Sequence, residues 1–377
     1  MYNFSTIKVV DVLVGASFRT YDLDSDGTIF DDGTNPISIN EYGSYAQIAK
    51  KLLNDKIKLT GSVRYDKNEN FKGQFTPRLS GVFTVAPNNN LRVSYQTGFR
   101  NPTTQNQYID LLVRANTKLI GGLPQILEKY DLYNNQAFTA QSAQQFKASV
   151  NSGNPNPALL QKYTFAEFKP ESVQAYEVGY KGLVTPDLLV DAFYYYNSYK
   201  DFISTLNLIQ SSTKDYTGLI APNTPSIFST VVNSTSKVET NGWGLGLDYR
   251  LSGWNLTGNV SYNKLAKKRD DGLQNEYNTP EYRFNVGLSR KELIKNVGFN
   301  LNYRWQDAFV WESTFAAGQV PAFGTFDGQI NLRIPEYKTT LKVGGSDLFN
   351  KYYRTSFGNP QMGGMYYLSL TFDQFLK

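Results

Sequence analysis

The sequence predicts an all-β fold, an antiparallel transmembrane β-barrel of about fourteen strands, and three observations carry that prediction. Apolar and polar residues alternate through segments of roughly 9–11 residues, the length a tilted strand needs to cross hydrocarbon. The linkers between the segments alternate short and long. Aromatic residues make up 15% of the chain, with 27 Tyr and 24 Phe, and Tyr gathers near segment ends, as in FYYYNSY (193–199), KYYR (351–354) and MYY (365–367).

The segments run in order from near Val12 to Phe372. In KIKLTGSVRYD, Ile57, Leu59, Val63 and Tyr65 oppose Lys58, Thr60, Ser62 and Arg64. LRVSYQTGFR sets Leu91, Val93, Tyr95, Thr97 and Phe99 against Arg92, Ser94, Gln96, Gly98 and Arg100, then stops at Asn101-Pro102 before a long polar tract. In WNLTGNVSYN, Trp254, Leu256, Val260 and Tyr262 oppose Asn255, Thr257, Asn259 and Ser261. YRFNVGLSR and NVGFNLNYRWQD repeat the scheme, the latter with Phe299, Leu301, Tyr303 and Trp305 against Asn300, Asn302, Arg304 and Gln306. FDGQINLRI puts Asp327, Gln329, Asn331 and Arg333 on the polar side, and YYLSLTFDQFLK keeps Tyr366, Leu368, Leu370 and Phe372 on the apolar one. The apolar parity of these segments carries no charge.

Alternation alone fits a soluble sandwich equally well, so the linkers decide. The short ones are 53–56, 87–90, 184–187, 252–253, the stretch around Lys295, and 335–336. The long ones are 24–36, 67–74, about 101–170, 204–228, 266–279, 309–320 and 351–363. Tight turns at one rim and long loops at the other mark a membrane barrel, and a sandwich has no reason to sort loop length by end. In lipid every backbone N–H and C=O must pair internally, so the apolar parity faces the bilayer and the polar parity an enclosed, wet interior. An even strand count places both termini on the side of the tight turns.

Composition excludes much else. The chain of 377 residues has neither Cys nor His, which removes disulfides, thiol nucleophiles, Ser-His and Cys-His catalysis and nearly all common zinc or haem sites. No cofactor is expected. No run approaches the roughly 18 apolar residues of a membrane helix. The net charge of +5 is scattered, with no basic arm, so nucleic acid is not an expected partner. MYNFSTIKVVDVLVG lacks the features of a signal peptide. DLDSDG (22–27) matches the first positions of a calcium loop through Asp22, Asp24, Asp26 and Gly27, yet residue 33 is Gly where the ligating Glu belongs, and Asp-Gly clusters are ordinary turn chemistry.

Four motifs, FTPRLSGVF (75–83), LRVSYQTGFRNPT (91–103), FKPESVQAYEVGYKG (168–182) and VGGSDLFNKYY (343–353), together resemble the C-terminal barrel of a TonB-dependent outer-membrane receptor, over nearly the whole of residues 1–377. The style of GFRNPTTQNQY and LIGGLPQILEKY is similar to the Bacteroidetes branch. The resemblance implies a barrel of about 22 strands around a plug. The chain then corresponds to its C-terminal part, without plug, TonB box or first strands. It implies a Gram-negative outer membrane, lipid around the wall, a missing plug and barrel half, and a TonB complex acting through that plug. A scarce siderophore, cobalamin, glycan or peptide would be the ligand, met by loops and plug apex. On that basis Arg100, Gln105, Tyr108 and Arg114 at the root of 101–170 are candidate ligand contacts, against the reading that Arg100 and Asn101 secure the loop. The tract itself is either functional or poorly ordered. Phe309, Trp311 and Phe315 are candidate stacking rings, against simple loop packing. Arg64, Arg92, Glu177, Asp191, Arg304 and Arg333 are expected to face the lumen, bonding plug residues when the plug is present and solvated without it. Two alternatives stand beside this reading: a self-contained fourteen-stranded passive channel, and an outer-membrane enzyme, which the absence of His argues against.

Overall fold

Fourteen long strands follow one another in space in the order in which they occur in the chain, each antiparallel to the last, in a computed structural model describing residues 2–3, 10–135, 137–268, 271, 273, 275–313 and 316–372. They are β1 (Asp11–Leu23), β2 (Ile37–Leu52), β3 (Ile57–Asn68), β4 (Gln74–Ala86), β5 (Asn89–Arg100), β6 (Glu171–Thr185) and β7 (Leu188–Lys200). The wall continues through β8 (Val238–Leu251), β9 (Trp254–Lys267), β10 (Tyr282–Ile294), β11 (Val297–Gln306), β12 (Phe323–Ile334), β13 (Thr339–Ser346) and β14 (Met365–Phe372). The two residues Tyr2–Asn3 pair with Val14 and Leu13 at the edge of β1. Among the described residues β14 pairs only with β13, and no ladder joins it to the first strand.

Register turns the alternation of each strand into two faces of one sheet. Leu59, Gly81, Val93, Val178, Tyr194, Trp243, Tyr262 and Tyr282 are successive cross-strand partners, so they lie in one row on one side. Leu59, Val93 and Leu256 are 43%, 45% and 46% exposed, and among the described residues no second sheet covers them. A sandwich would have buried them. Aromatic contacts knit this face where strands meet the loops: Tyr95–Tyr176 at 5.0 Å, Tyr262–Tyr282 at 4.8 Å and Tyr65–Phe75 at 4.7 Å between ring centroids. Amphipathic rings at that height suit a membrane interface.

Most of the tight connections are hairpins with residues in the left-handed backbone region. Ser252 and Gly253 have φ of 49° and 83° between the paired Leu251 and Trp254, the two positive angles of a two-residue hairpin that follows the strand twist.

The conventional core lies in the loops. Helices α1 (Thr104–Tyr108), α2 (Pro124–Lys129) and α3 (Ala140–Asn151) fall inside the 101–170 tract, which is folded throughout its described length. Thr103 caps α1 in a reciprocal capping box with Asn106, and Thr139 caps α3. Strands 110–114, 117–120 and 137–139 join 203–210 and 226–233, from the loop after β7, in a five-stranded sheet. The pairing of 117–120 with 226–233 is parallel. Ile120, Leu123, Leu127, Leu208 and Phe228 form one buried cluster with Phe71 from the β3–β4 connection; Phe138, Ala143, Phe146, Ile209 and Leu219 form another. Two loops thus build a small domain with its own core on one rim of the wall.

The 24–34 turn is organised around Asp32, which accepts from Ser25 N at 2.6 Å, Ser25 Oγ at 2.9 Å and Gly27 N at 2.7 Å. Asp22 belongs to β1, opposite Ser38, and Asp22, Asp24 and Asp26 do not converge. Among the described residues no group of three acidic side chains is placed to hold a metal. The Asp-Gly cluster is turn chemistry.

Candidate functional site

On the polar parity of the wall several charges are held in pairs. Arg92 donates through Nε to Glu177 at 3.0 Å and through a terminal nitrogen to Asp191 at 3.0 Å, while Lys181 reaches Asp191 at 3.3 Å. These residues come from three strands, and register alone brings them together: Arg92 pairs with Gly179 between Glu177 and Lys181, and Lys181 pairs with Asp191. Glycine at 179 leaves room for the Arg92 guanidinium, which a Cβ there would meet at 2.8 Å. Arg64 chelates Asp66 on its own strand, and Arg304 pairs with Asp327 on β12 at 2.8 Å. Arg333 is exposed and makes no ion pair among the described residues. Five of the six lumen candidates pair with one another or with Asp66 and Asp327, and all five side chains remain part-exposed.

Where the wall meets the loops, the same chemistry fastens the loop domain. Arg100 pairs with the nearly buried Glu171 at 2.8 Å, and Glu171 also accepts from the Ile203 N–H. Glu41 accepts from Asn101 at 3.0 Å and from Asn68 at 2.8 Å. Tyr108 is half-buried and shares two hydrogen bonds with Asn70, at 3.0 and 3.2 Å; burial raises its hydroxyl above the ordinary tyrosine range. Of the four candidates at the root of the tract, Arg100 is engaged by Glu171 and Tyr108 by Asn70. Gln105 is exposed on α1. Arg114 lies away from the root, exposed at the turn of the 110–114/117–120 hairpin, with Thr117 Oγ1 at 3.3 Å.

Phe309 is 8% exposed, packed into a hairpin formed by Phe309–Glu312 and Ala317–Val320, with Trp311 half-buried beside it at 6.5 Å. Phe309 is thus buried in this hairpin and not presented as an exposed ring. Phe315 lies outside the described residues.

Sequence reasoning missed the charged centre of the loop domain. The Asp110 carboxylate is 4% exposed and receives Lys129 Nζ at 2.6 Å, Lys118 Nζ at 3.4 Å and the Tyr130 hydroxyl, while Lys129 continues to Asp31 at 2.7 Å. Burial pushes the carboxyl upward, yet the bonds from Lys129 and Tyr130 and the charge of Lys118 outweigh it and hold Asp110 below its ordinary value. Tyr130 is driven well above the tyrosine range, first by burial and then by donating to Asp110. Nothing in the local sequence marks these residues, since Asp31, Asp110 and Lys129 meet only in the folded loops.

Several cavities open on this rim, and two of them are lined largely by polar and charged groups. One, of about 410 Å³, lies on the inner wall among Ser17, Arg19, Glu41, Arg64, Asp66 and Asn101. The other, of about 360 Å³, lies between the loop domain and the neighbouring loops and is lined by Thr139, Gln141, Gln161, Asn207, Asp271 and Ser313. Both offer hydrogen bonds and charge, which is the chemistry of holding a ligand.

The family model for the TonB-dependent receptor-like β-barrel matches residues 2–348. Among solved structures, the siderophore receptor PirA of Acinetobacter baumannii is similar at 14% identity, with a TM-score of 0.63 over 98% of this chain and 52% of that one. A mutant of the ferric enterobactin receptor PfeA of Pseudomonas aeruginosa gives 15% and 0.66 over 97% and 51%. The FrpB iron transporter of Neisseria meningitidis gives 13% and 0.63 over 98% and 53%. At these identities the likeness is one of fold, and the chain spans about half the length of the structures it matches. No curated protein matches the sequence.

Proposed function

The chain belongs to the TonB-dependent receptor β-barrel family, and on that premise we propose that it forms wall and outer loops of a receptor in the outer membrane of a Gram-negative bacterium, taking up a scarce ligand. Members of this family are outer-membrane proteins and serve as receptors and transporters. The reading rests above all on the two-faced sheet, one parity apolar and exposed and the other hydrogen-bonded and charged, with a folded loop domain at one rim. A plug within the wall and a TonB complex pulling on it complete the proposed mechanism. The loop domain and the rim cavities hold the ligand, and energy from the inner membrane drives its release inward.

Among the ligand classes, a ferric siderophore is the first to test, because the similar solved structures carry siderophore and iron-transport names. Cobalamin, glycans and peptides follow. In cells making the full protein, uptake of labelled ferric siderophores should require both this gene and the proton-motive force. Uptake that survives uncoupling, together with a steady ligand-free conductance in planar bilayers, would identify the passive channel instead.

A further inference from the structure

The wall has a break near its loop rim. The ladder between β4 and β5 stops at Arg78 and Gln96, although β3–β4 pairing continues out to Asp66 and Gln74 and β5–β6 pairing to Arg100 and Glu171. Residues Gln74–Pro77 and Thr97–Arg100 therefore diverge as a wedge. Pro77 has no N–H to give the ladder, and the Thr97 hydroxyl donates to the Pro77 carbonyl at 3.3 Å in its place. A cavity lies against the break on each side: the inner one of about 410 Å³ and an outer one of about 320 Å³. Thr76, Gly98 and Phe99 line both, so the two cavities adjoin at the break.

The chemistry differs across the break. Outside are Phe75, Pro77 and Phe99, with Phe75 among the exposed large apolar residues, and Lys200 at the strand end. Inside is Arg19, whose guanidinium bonds the Tyr21 hydroxyl at 2.8 Å and makes no ion pair among the described residues, whereas Arg64 beside it is engaged by Asp66. An added β-strand fits poorly, because the wedge is short and one of its edges carries a proline. We propose that this break is a lateral slot seating an amphiphile, its apolar chain on the lipid side against Phe75 and Phe99 and its anionic head at Arg19 on the lumen side. The slot rests on the outer-membrane reading above, since only a wall in a bilayer has lipid on that face.

The test uses outer-membrane vesicles from cells making the full protein, a photoreactive diazirine fatty acid and the matched fatty alcohol. Labelled peptides are mapped by mass spectrometry. The slot predicts fatty-acid labelling concentrated in 74–77 and 97–99, reduced roughly tenfold by Arg19→Gln or by the alcohol, as expected for losing one charged hydrogen bond. Phe99→Ala should weaken it without moving the wall. Labelling spread evenly over Val178, Leu247 and Leu256, with no concentration at the break, overturns the slot and leaves the membrane reading standing. The slot alone is likewise overturned if Lys200→Gln abolishes the labelling while Arg19→Gln does not, because the head then stays outside. Absence of label from every one of these positions overturns the slot together with the membrane reading.

Discussion

Arg92 shows what a single residue does in this wall. It bridges Glu177 and Asp191, so replacing it with Met leaves Glu177 without its cation while Asp191 keeps only Lys181. Because the trio is part-exposed, the expected loss is modest, about 1–2 kcal/mol, read as a shift in the urea midpoint at unchanged m-value. Pairing Arg92→Met with Glu177→Gln should recover part of it, and additivity of the two changes would show that the bridge contributes nothing. Asp110 makes a pH prediction. Its carboxyl is held below the ordinary value of 3.8, so the folded loop domain binds that proton less readily than the unfolded chain does. Its contribution is therefore complete above the unfolded value and is lost as pH falls below it. Hydroxyl-radical footprinting of Leu111, Leu119 and Phe228 should show the loop domain opening as pH drops from about 4 to about 2, and Asp110→Asn should flatten that response. A response unchanged in the variant would place the acid-sensitive group elsewhere.

At the scale of elements, the strands were legible and the loop domain was not, for one physical reason. A strand such as 297–306 declares itself locally, because lipid on one side and water on the other impose a period of two on consecutive residues. Linker length is local as well, so the alternation of turns and loops could be read directly. The loop domain depends on the parallel pairing of Thr117–Ile120 with Ile227–Thr230, partners far apart in sequence and only a few residues long. No periodicity survives in so short a strand. The site was half-legible in the same way: parity sends Arg92, Glu177 and Asp191 inward, but their meeting depends on register, which parity does not specify. Leu208 tests whether the loop domain is a cooperative unit. It is fully buried and lies on the strand that joins 226–233 to 137–139. Leu208→Ala should cost about 2–5 kcal/mol of that unit's stability. Limited proteolysis should then cut within 101–170 and 201–237 while β1 to β14 stay protected. Cleavage spreading into the wall would show that loops and wall unfold together.

The whole molecule reverses the usual relation between burial and polarity: the sheet presents its apolar residues outward and most of its charges inward, while the clustered apolar cores lie in the loops. Water cannot be the solvent on both faces, since rows such as Leu59, Val93 and Val178 would then join sheets from different molecules. A bilayer removes that conflict, and the contrast can be measured at two nearby positions on one strand. Leu256 is on the outward parity of β9 and Asn259 on the inward, where it accepts from Asn285 at 2.8 Å. Leu256→Arg places a charge in hydrocarbon and should cost about 2–4 kcal/mol if the position lies near mid-membrane. Asn259→Arg places the same charge on the inner wall and should cost well under half of that, mainly through the lost hydrogen bond. The full protein inserted in phosphatidylcholine vesicles, unfolded with guanidinium and read by tryptophan fluorescence, gives both values in one assay. The ordering of the two decides the matter more firmly than either magnitude: if arginine is tolerated at 256 and refused at 259, the faces have been assigned the wrong way round, and the receptor reading falls with them.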